Sequence, residues 1–178
     1  MENTPRRAIA LGFFDGVHLG HQALLTKAVE RAREHSMEPA VFTFDRSPRE
    51  FVTGQPVPLL TTVDQRREII RTRCGIDLVI TEPFDQRMMT MPWTDFLTML
   101  VEKYRAGWLV AGHDYRFGHR NQGDPAHLRQ WAADHGLGCD IIPAVTLDGV
   151  TVSSSHIRKL LADGNTQEAQ RFLGHPLP

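Results

Sequence analysis

The sequence predicts an α/β fold: a Rossmann-like, doubly wound parallel sheet of about five strands with helices on both faces. Three observations predict it. Short apolar runs alternate with amphipathic helical patterns, which is the βαβ signature of a mainly parallel sheet. The 178 residues suffice for one compact domain, read here as residues 1–178, and are too few for two full-sized ones. Hydrophobic residues make up 41% and charged residues 23%, the balance of a globular chain rather than a disordered one.

The elements follow in order. Residues 8–12, Ala-Ile-Ala-Leu-Gly, read as the first strand. Ala23, Leu24, Ala28 and Ala32 recur at helical spacing opposite Lys27, Glu30, Arg31 and Glu34, which predicts a helix over 21–34. Residues 39–44 form the second strand. Residues 45–60 carry Pro48, Gly54, Pro56 and Pro58 and read as a loop. Thr62 is placed to cap a helix ending near Cys74, with Gly75 suited to a left-handed stop. A third strand at 76–80, a helix at 93–104 and a fourth strand at 108–112 follow. A polar, Gly-rich loop at 113–123, a helix at 126–135 and a fifth strand at 139–142 come next, and two short helices follow Ser155.

Charge and cysteine usage narrow the function. Twenty Lys and Arg against 21 Asp and Glu give a net charge of −1, so no general field for nucleic acid arises. Cys74 and Cys139 lie far apart with no CxxC pair, the pattern of a reducing compartment. The apolar run from Ala8 stops at Asp15, short of a signal-peptide core, and no stretch is long enough to span a bilayer. The expectation is a soluble, cytoplasmic protein with no membrane or nucleic-acid partner; oligomeric state is not readable.

Three segments can carry chemistry. After the first strand comes Phe13-Phe14-Asp15-Gly16-Val17-His18-Leu19-Gly20-His21, running straight into a helix. The first N–H groups of a helix lack internal partners and carry the positive end of its dipole, so this turn is suited to a phosphate. His18 and His21, three apart, can face one phosphate, and Gly20 leaves room for close backbone approach. Two surface histidines flanking a turn is the competing reading, and no HExxH or Cys/His cluster supports a zinc site. The second segment, Ser153-Ser154-Ser155-His156-Ile157-Arg158, opens a helix with three hydroxyls and a permanent cation; ordinary capping would also account for it. On a parallel sheet both helix starts would converge at the carboxyl ends of the strands. The third segment, residues 111–123, mixes aromatic, basic and Gly residues in a loop suited to wrapping an adenosine, with Asp114 contacting its ribose or orienting a neighbour; a solvated connection whose Phe117 plugs the core is the competing reading, and it is the one expected for Phe117 itself.

Together these segments resemble the adenylyltransferase module of bacterial bifunctional riboflavin kinase/FAD synthetases, in the HxGH nucleotidyltransferase superfamily. The string from Gly12 to His21 is similar to that family's GxFDGVHxGH opening. Thr43-Phe44-Asp45 with Pro48, Gly112 to Gly118, and Ser153 to Arg158 match its later signatures in the same order. The chain departs where the family has Pro-His-Pro, here Arg46-Ser47-Pro48, and where it has SSTRIR, here with Ser155 and His156. It also stops at Pro178, where the family continues into a kinase module.

The resemblance implies AMP transfer from ATP to FMN, giving FAD and pyrophosphate. His18, His21 and Arg158 would be catalytic. Gly12, Phe13, Phe14, Gly20, His21, Asp114, Ser153, Ser154, Ser155 and Arg158 would bind ATP. Asp15, Phe44, Pro48, Arg116 and Phe117 would bind FMN. Mg²⁺ would arrive with ATP, without dedicated protein ligands. A cytidylyltransferase-like enzyme with another phosphate acceptor, and a non-catalytic flavin- or nucleotide-binding module, remain open alternatives.

Overall fold

A computed structural model describes residues 4–178. Five parallel strands, β1 (Arg7–Leu11), β2 (Glu38–Phe44), β3 (Leu78–Glu82), β4 (Ala106–Gly112) and β5 (Gly138–Ile142), form one sheet in the order β3-β2-β1-β4-β5. The chain winds outward from β1 to β3, returns, and winds outward again through β4 and β5. The order therefore reverses between β1 and β4, and ligands of such sheets bind at that reversal.

β1 is buried on both faces because its residues alternate in size. Ile9 and Leu11 face one core with Phe42, Leu97, Leu100, Leu109 and Trp131, while Ala10 faces the other with Val41, Val110, Leu25 and Ile70. The first core is covered by α4 (Gln86–Thr90), α5 (Trp93–Glu102) and α6 (Pro125–Asp134). The second is covered by α1 (Leu19–Glu34) and α3 (Val63–Cys74). The small Ala10 lets α1 lie close to the strand that leads into it.

The expected loop over 45–60 holds a helix, α2 (Pro48–Thr53). Its prolines do not break it because Pro48 sits at the first helical position, where its missing N–H goes unused, and Gly54 ends the helix at φ 69°. Helix α4, five residues long, was also not foreseen. β3 begins at Leu78 rather than 76, since Gly75 ends α3 in a left-handed turn at φ 70° and a short connection follows. A two-stranded hairpin, β6 (Thr146–Leu147) with β7 (Val150–Thr151), turns on Asp148-Gly149. It precedes α7 (Ser154–Ala162) and α8 (Thr166–Leu173), whose Ile157, Ala169, Phe172 and Leu173 form a third, smaller cluster. No described helix is long and apolar enough to cross a membrane.

Candidate active site at the β1–α1 turn

The turn between β1 and α1 is held in an unusual conformation. Phe14 and Val17 take left-handed φ of 59° and 46°, which is rare for bulky side chains and rarer for β-branched ones, while Gly16 lies at 85°. A Cβ on Gly16 would meet Leu60 Cδ1 at 2.7 Å, so this position needs glycine for both conformation and space. Such strain persists where the surroundings over-determine the backbone. Here Asp15, 2% exposed, does this. Its carboxylate accepts from the N–H groups of Leu60 and Thr61 and from Thr61 Oγ1 at 2.9–3.1 Å. Arg158 Nη2 donates to its Oδ2 at 2.8 Å, and Ser154 Oγ donates to its carbonyl at 2.8 Å. One buried carboxylate thus fixes the start of α7 against the start of α1.

His18 caps α1. Its Nδ1 accepts from His21 N–H at 3.2 Å, and His21 Nδ1 accepts from His18 N–H at 3.3 Å, a capping box built from two imidazoles. The rings stack at 3.5 Å between centroids with 12° between planes. A Cβ on Gly20 would press on the His18 ring at 3.0 Å, which explains the glycine between them. Because each Nδ1 accepts a hydrogen bond, the proton of each neutral ring sits on Nε2. Burial brings His18 down from the usual value to about 4, and burial followed by the charges of His18 and Arg66 pushes His21 well below it. Both rings are therefore neutral Nε2–H donors at neutral pH.

The remaining sequence candidates divide. Arg158 reaches from α7 to Asp15, three residues before His18, and the charges of Asp15, Asp114 and Arg158 all act on His18. Asp114 is exposed and folds back over Gly112. Ser153 caps α7 by accepting from His156 N–H at 3.1 Å. The hydroxyl proton of Ser154 is committed to Asp15, whereas exposed Ser155 lines a cleft of about 260 Å³ with Arg158, Arg49 and Gln55. His156 turns to α8, edge-on to Phe172 at 4.8 Å.

Gly12 continues β1, its N–H donating to Phe42 carbonyl at 3.3 Å. Phe14 is buried beneath the turn and edge-on to His21 at 5.2 Å, while Phe13 stays partly exposed. Among residues expected at a flavin, Phe44 ends β2 and packs on Phe84, and Pro48 starts α2 just after it. Arg116 lies on the other side of β1, 3.8 Å from Asp124. Phe117 fills the core between Trp93 and Phe96, as its residue type alone suggested.

Two residues escaped the sequence reading, Arg49 and Arg66. Arg66 shares the inward face of α3 with Ile70, four residues on, and a charge on that apolar face was the available signal. Among the described residues no group of three or more His, Cys, Asp or Glu is arranged to hold a metal ion.

Residues 1–156 match the FAD synthetase family. The chain belongs to that family. Among curated FAD synthetase relatives, the bifunctional riboflavin kinase/FMN adenylyltransferase of Escherichia coli K12 is 33% identical over 170 residues, covering 94% of this chain and 54% of the relative. The protein of the same description from Pseudomonas fluorescens is 34% identical over 167 residues, covering 93% and 53%. The chain thus spans about half the length of these relatives. A relative from Geobacillus thermodenitrificans, 32% identical, is matched over 97% of this chain and 92% of its own length. A solved structure described as a macrolide-efflux protein from Streptococcus pneumoniae superposes with a TM-score of 0.85 at 28% identity, covering 98% of this chain and 57% of that one. The five-stranded parallel sheet of this chain is a nucleotidyltransferase-like α/β fold, and FAD synthetase is an enzyme family.

Proposed function

We propose that this domain transfers AMP from ATP to FMN. The phosphate of FMN attacks the α-phosphorus, its new P–O bond forming as the bond to the leaving pyrophosphate breaks. The observation that carries the reading is the reciprocal His18–His21 capping box, which leaves two uncharged Nε2–H groups at the start of a helix that follows the central strand.

A phosphate monoester is already ionised near neutral pH, so the reaction needs no strong base; it needs position and charge neutralisation. His21 donates to the α-phosphoryl oxygen as charge builds there. Neutral rings suit this step, because their donor strength does not vary across the physiological pH range. Arg158, with Arg49 and Ser155, takes the β- and γ-phosphates in the cleft they share, and Asp15 holds Arg158 in place. Asp114 contacts the nucleoside, and Phe44 and Pro48 border the flavin. Mg²⁺ arriving with ATP would supply further positive charge at the phosphates, beside that of Arg158.

The test is incubation with FMN, ATP and Mg²⁺, following FAD by chromatography and pyrophosphate by coupled assay. FAD and pyrophosphate in equal amounts are expected. Pyrophosphate released only with CTP and an alcohol phosphate would make the domain a cytidylyltransferase, and binding of both substrates without turnover a binding module.

A further inference from the structure

We infer that Arg66 recognises the phosphate of the acceptor, so that the site selects a phosphorylated flavin over an unphosphorylated one; this rests on the adenylyl-transfer reading above. Arg66 is 1% exposed and reaches from α3 to the carboxyl end of β2. Its Nη1 donates to Thr43 Oγ1 and to the Phe44 carbonyl, both at 3.1 Å, and its guanidinium lies 4.3 Å over the ring of Phe13. Nε and Nη2 have no hydrogen-bond partner among the described residues. A guanidinium stays charged even when burial lowers its proton affinity, as it does here. Three N–H groups of a buried cation are thus left without an acceptor, a costly arrangement in a folded core.

The charge is also uncompensated. Asp15 is the acid whose field reaches Arg66, but its carboxylate already serves Leu60, Thr61 and Arg158. The contrast with other arginines is plain: Arg7, Arg31, Arg71 and Arg171 each close on a carboxylate within 2.9 Å. A missing counter-ion at the carboxyl edge of a parallel sheet points to an anionic ligand.

Placement selects which anion. Arg158 reaches Asp15 and Arg66 reaches the end of β2 over Phe13, so the two cations approach the β1–α1 turn from different elements. One comes from the α7 side, where the triphosphate cleft opens, and the other from the β2 side, beside Phe44. In-line transfer requires the attacking phosphate and the leaving pyrophosphate to stand on opposite sides of the α-phosphorus. The Nε and Nη2 edge of Arg66 is the fork that takes two oxygens of one phosphate. Phe13, partly exposed, lies with its ring face against the guanidinium, so the fork sits just under the β1–α1 turn.

The test compares FMN with riboflavin by quenching of flavin fluorescence, with a non-hydrolysable ATP analogue present. Wild-type protein is expected to prefer FMN by about ten- to a hundredfold, the worth of charge-assisted hydrogen bonds. Arg66→Met should reduce that preference to about onefold while changing affinity for the ATP analogue less than about threefold, and Arg66→Lys should retain part of it. An unchanged FMN preference in Arg66→Met overturns the inference and leaves adenylyl transfer standing. Wild-type protein that binds neither flavin defeats both. Should Arg66→Met not fold, wild-type protein labelled with ¹⁵N-arginine gives the same decision. The Arg66 Nε–H signal, assigned by its loss in Arg66→Lys, should move downfield with FMN and stay with riboflavin; a signal indifferent to FMN overturns the inference.

Discussion

Asp15→Asn tests the claim that one carboxylate assembles the site. The substitution keeps size and keeps Oδ1 as acceptor for Leu60 and Thr61, but it replaces Oδ2, 2.8 Å from Arg158 Nη2, with an amide donor. Two donors then face each other. Removing one partner of a buried ion pair costs about 3–5 kcal/mol. Because the Arg158 side chain keeps 19% exposure and can turn to water, the lower end, about 3 kcal/mol, is expected. For a chain of this size that corresponds to a melting point lowered by roughly 6–12 °C. Urea unfolding measures it as a lower midpoint at unchanged slope. The decisive control is the same substitution in an Arg158→Met background, where most of the cost should vanish because no cation remains to be stranded. A loss below about 1 kcal/mol, or an equal loss in both backgrounds, refutes the clamp.

His21→Ala should lower turnover by about a hundred- to a thousandfold while ATP affinity, measured by calorimetry, changes only a few-fold; an affinity loss matching the rate loss moves His21 to ground-state binding. His18 gives a stability slope with a definite sign. Its folded-state pKa of about 4 lies below the unfolded value near 6.5, so the unfolded chain takes up the proton first as pH falls. Its contribution is complete above about pH 6.5 and falls by roughly 3 kcal/mol on the way to pH 4. In His18→Asn, which keeps a capping acceptor, urea midpoints should fall less steeply over that window; parallel slopes contradict the assignment. His156→Arg should leave the pH profile of ATP affinity superimposable on wild type, since the His156 ring packs on Phe172 rather than toward the phosphates. Divergent profiles at low salt would return it to the site.

The sheet was legible because its strands are nearly unbroken apolar runs, and Gly75 was readable as the stop of α3. Helix α2 was hidden by the very residues that delimit it, since Pro48 and Gly54 read as loop until their positions at first turn and stop are known. The hairpin was recoverable from Asp148-Gly149, a two-residue turn signal that its four strand residues were too few to support. In the site, the histidine pair announced itself by spacing. The tautomer did not, because it follows from backbone donors brought near each ring by the helix start. Arg66 had a faint signal in its place four residues before Ile70, but its unshared fork appears only once α3 packs against β2.

Helices α7 and α8 rest on their own small cluster, with Leu19 and Leu60 among the side chains joining it to the rest. Such a unit opens at lower cost than the sheet, and its opening is cooperative. Opening removes Arg158 and the serine-rich helix start but leaves His18 and His21 paired, because their mutual bonds belong to α1 alone. An open form of this kind would keep the imidazoles set and lose the Arg158 cation. A ligand bridging both helix starts binds the closed form alone and deepens it by mass action. Amide exchange in α7 and α8 should consequently slow on adding nucleotide while the exchange of β1 and β4 hardly changes, which makes this unit the molecule's own reporter of occupancy.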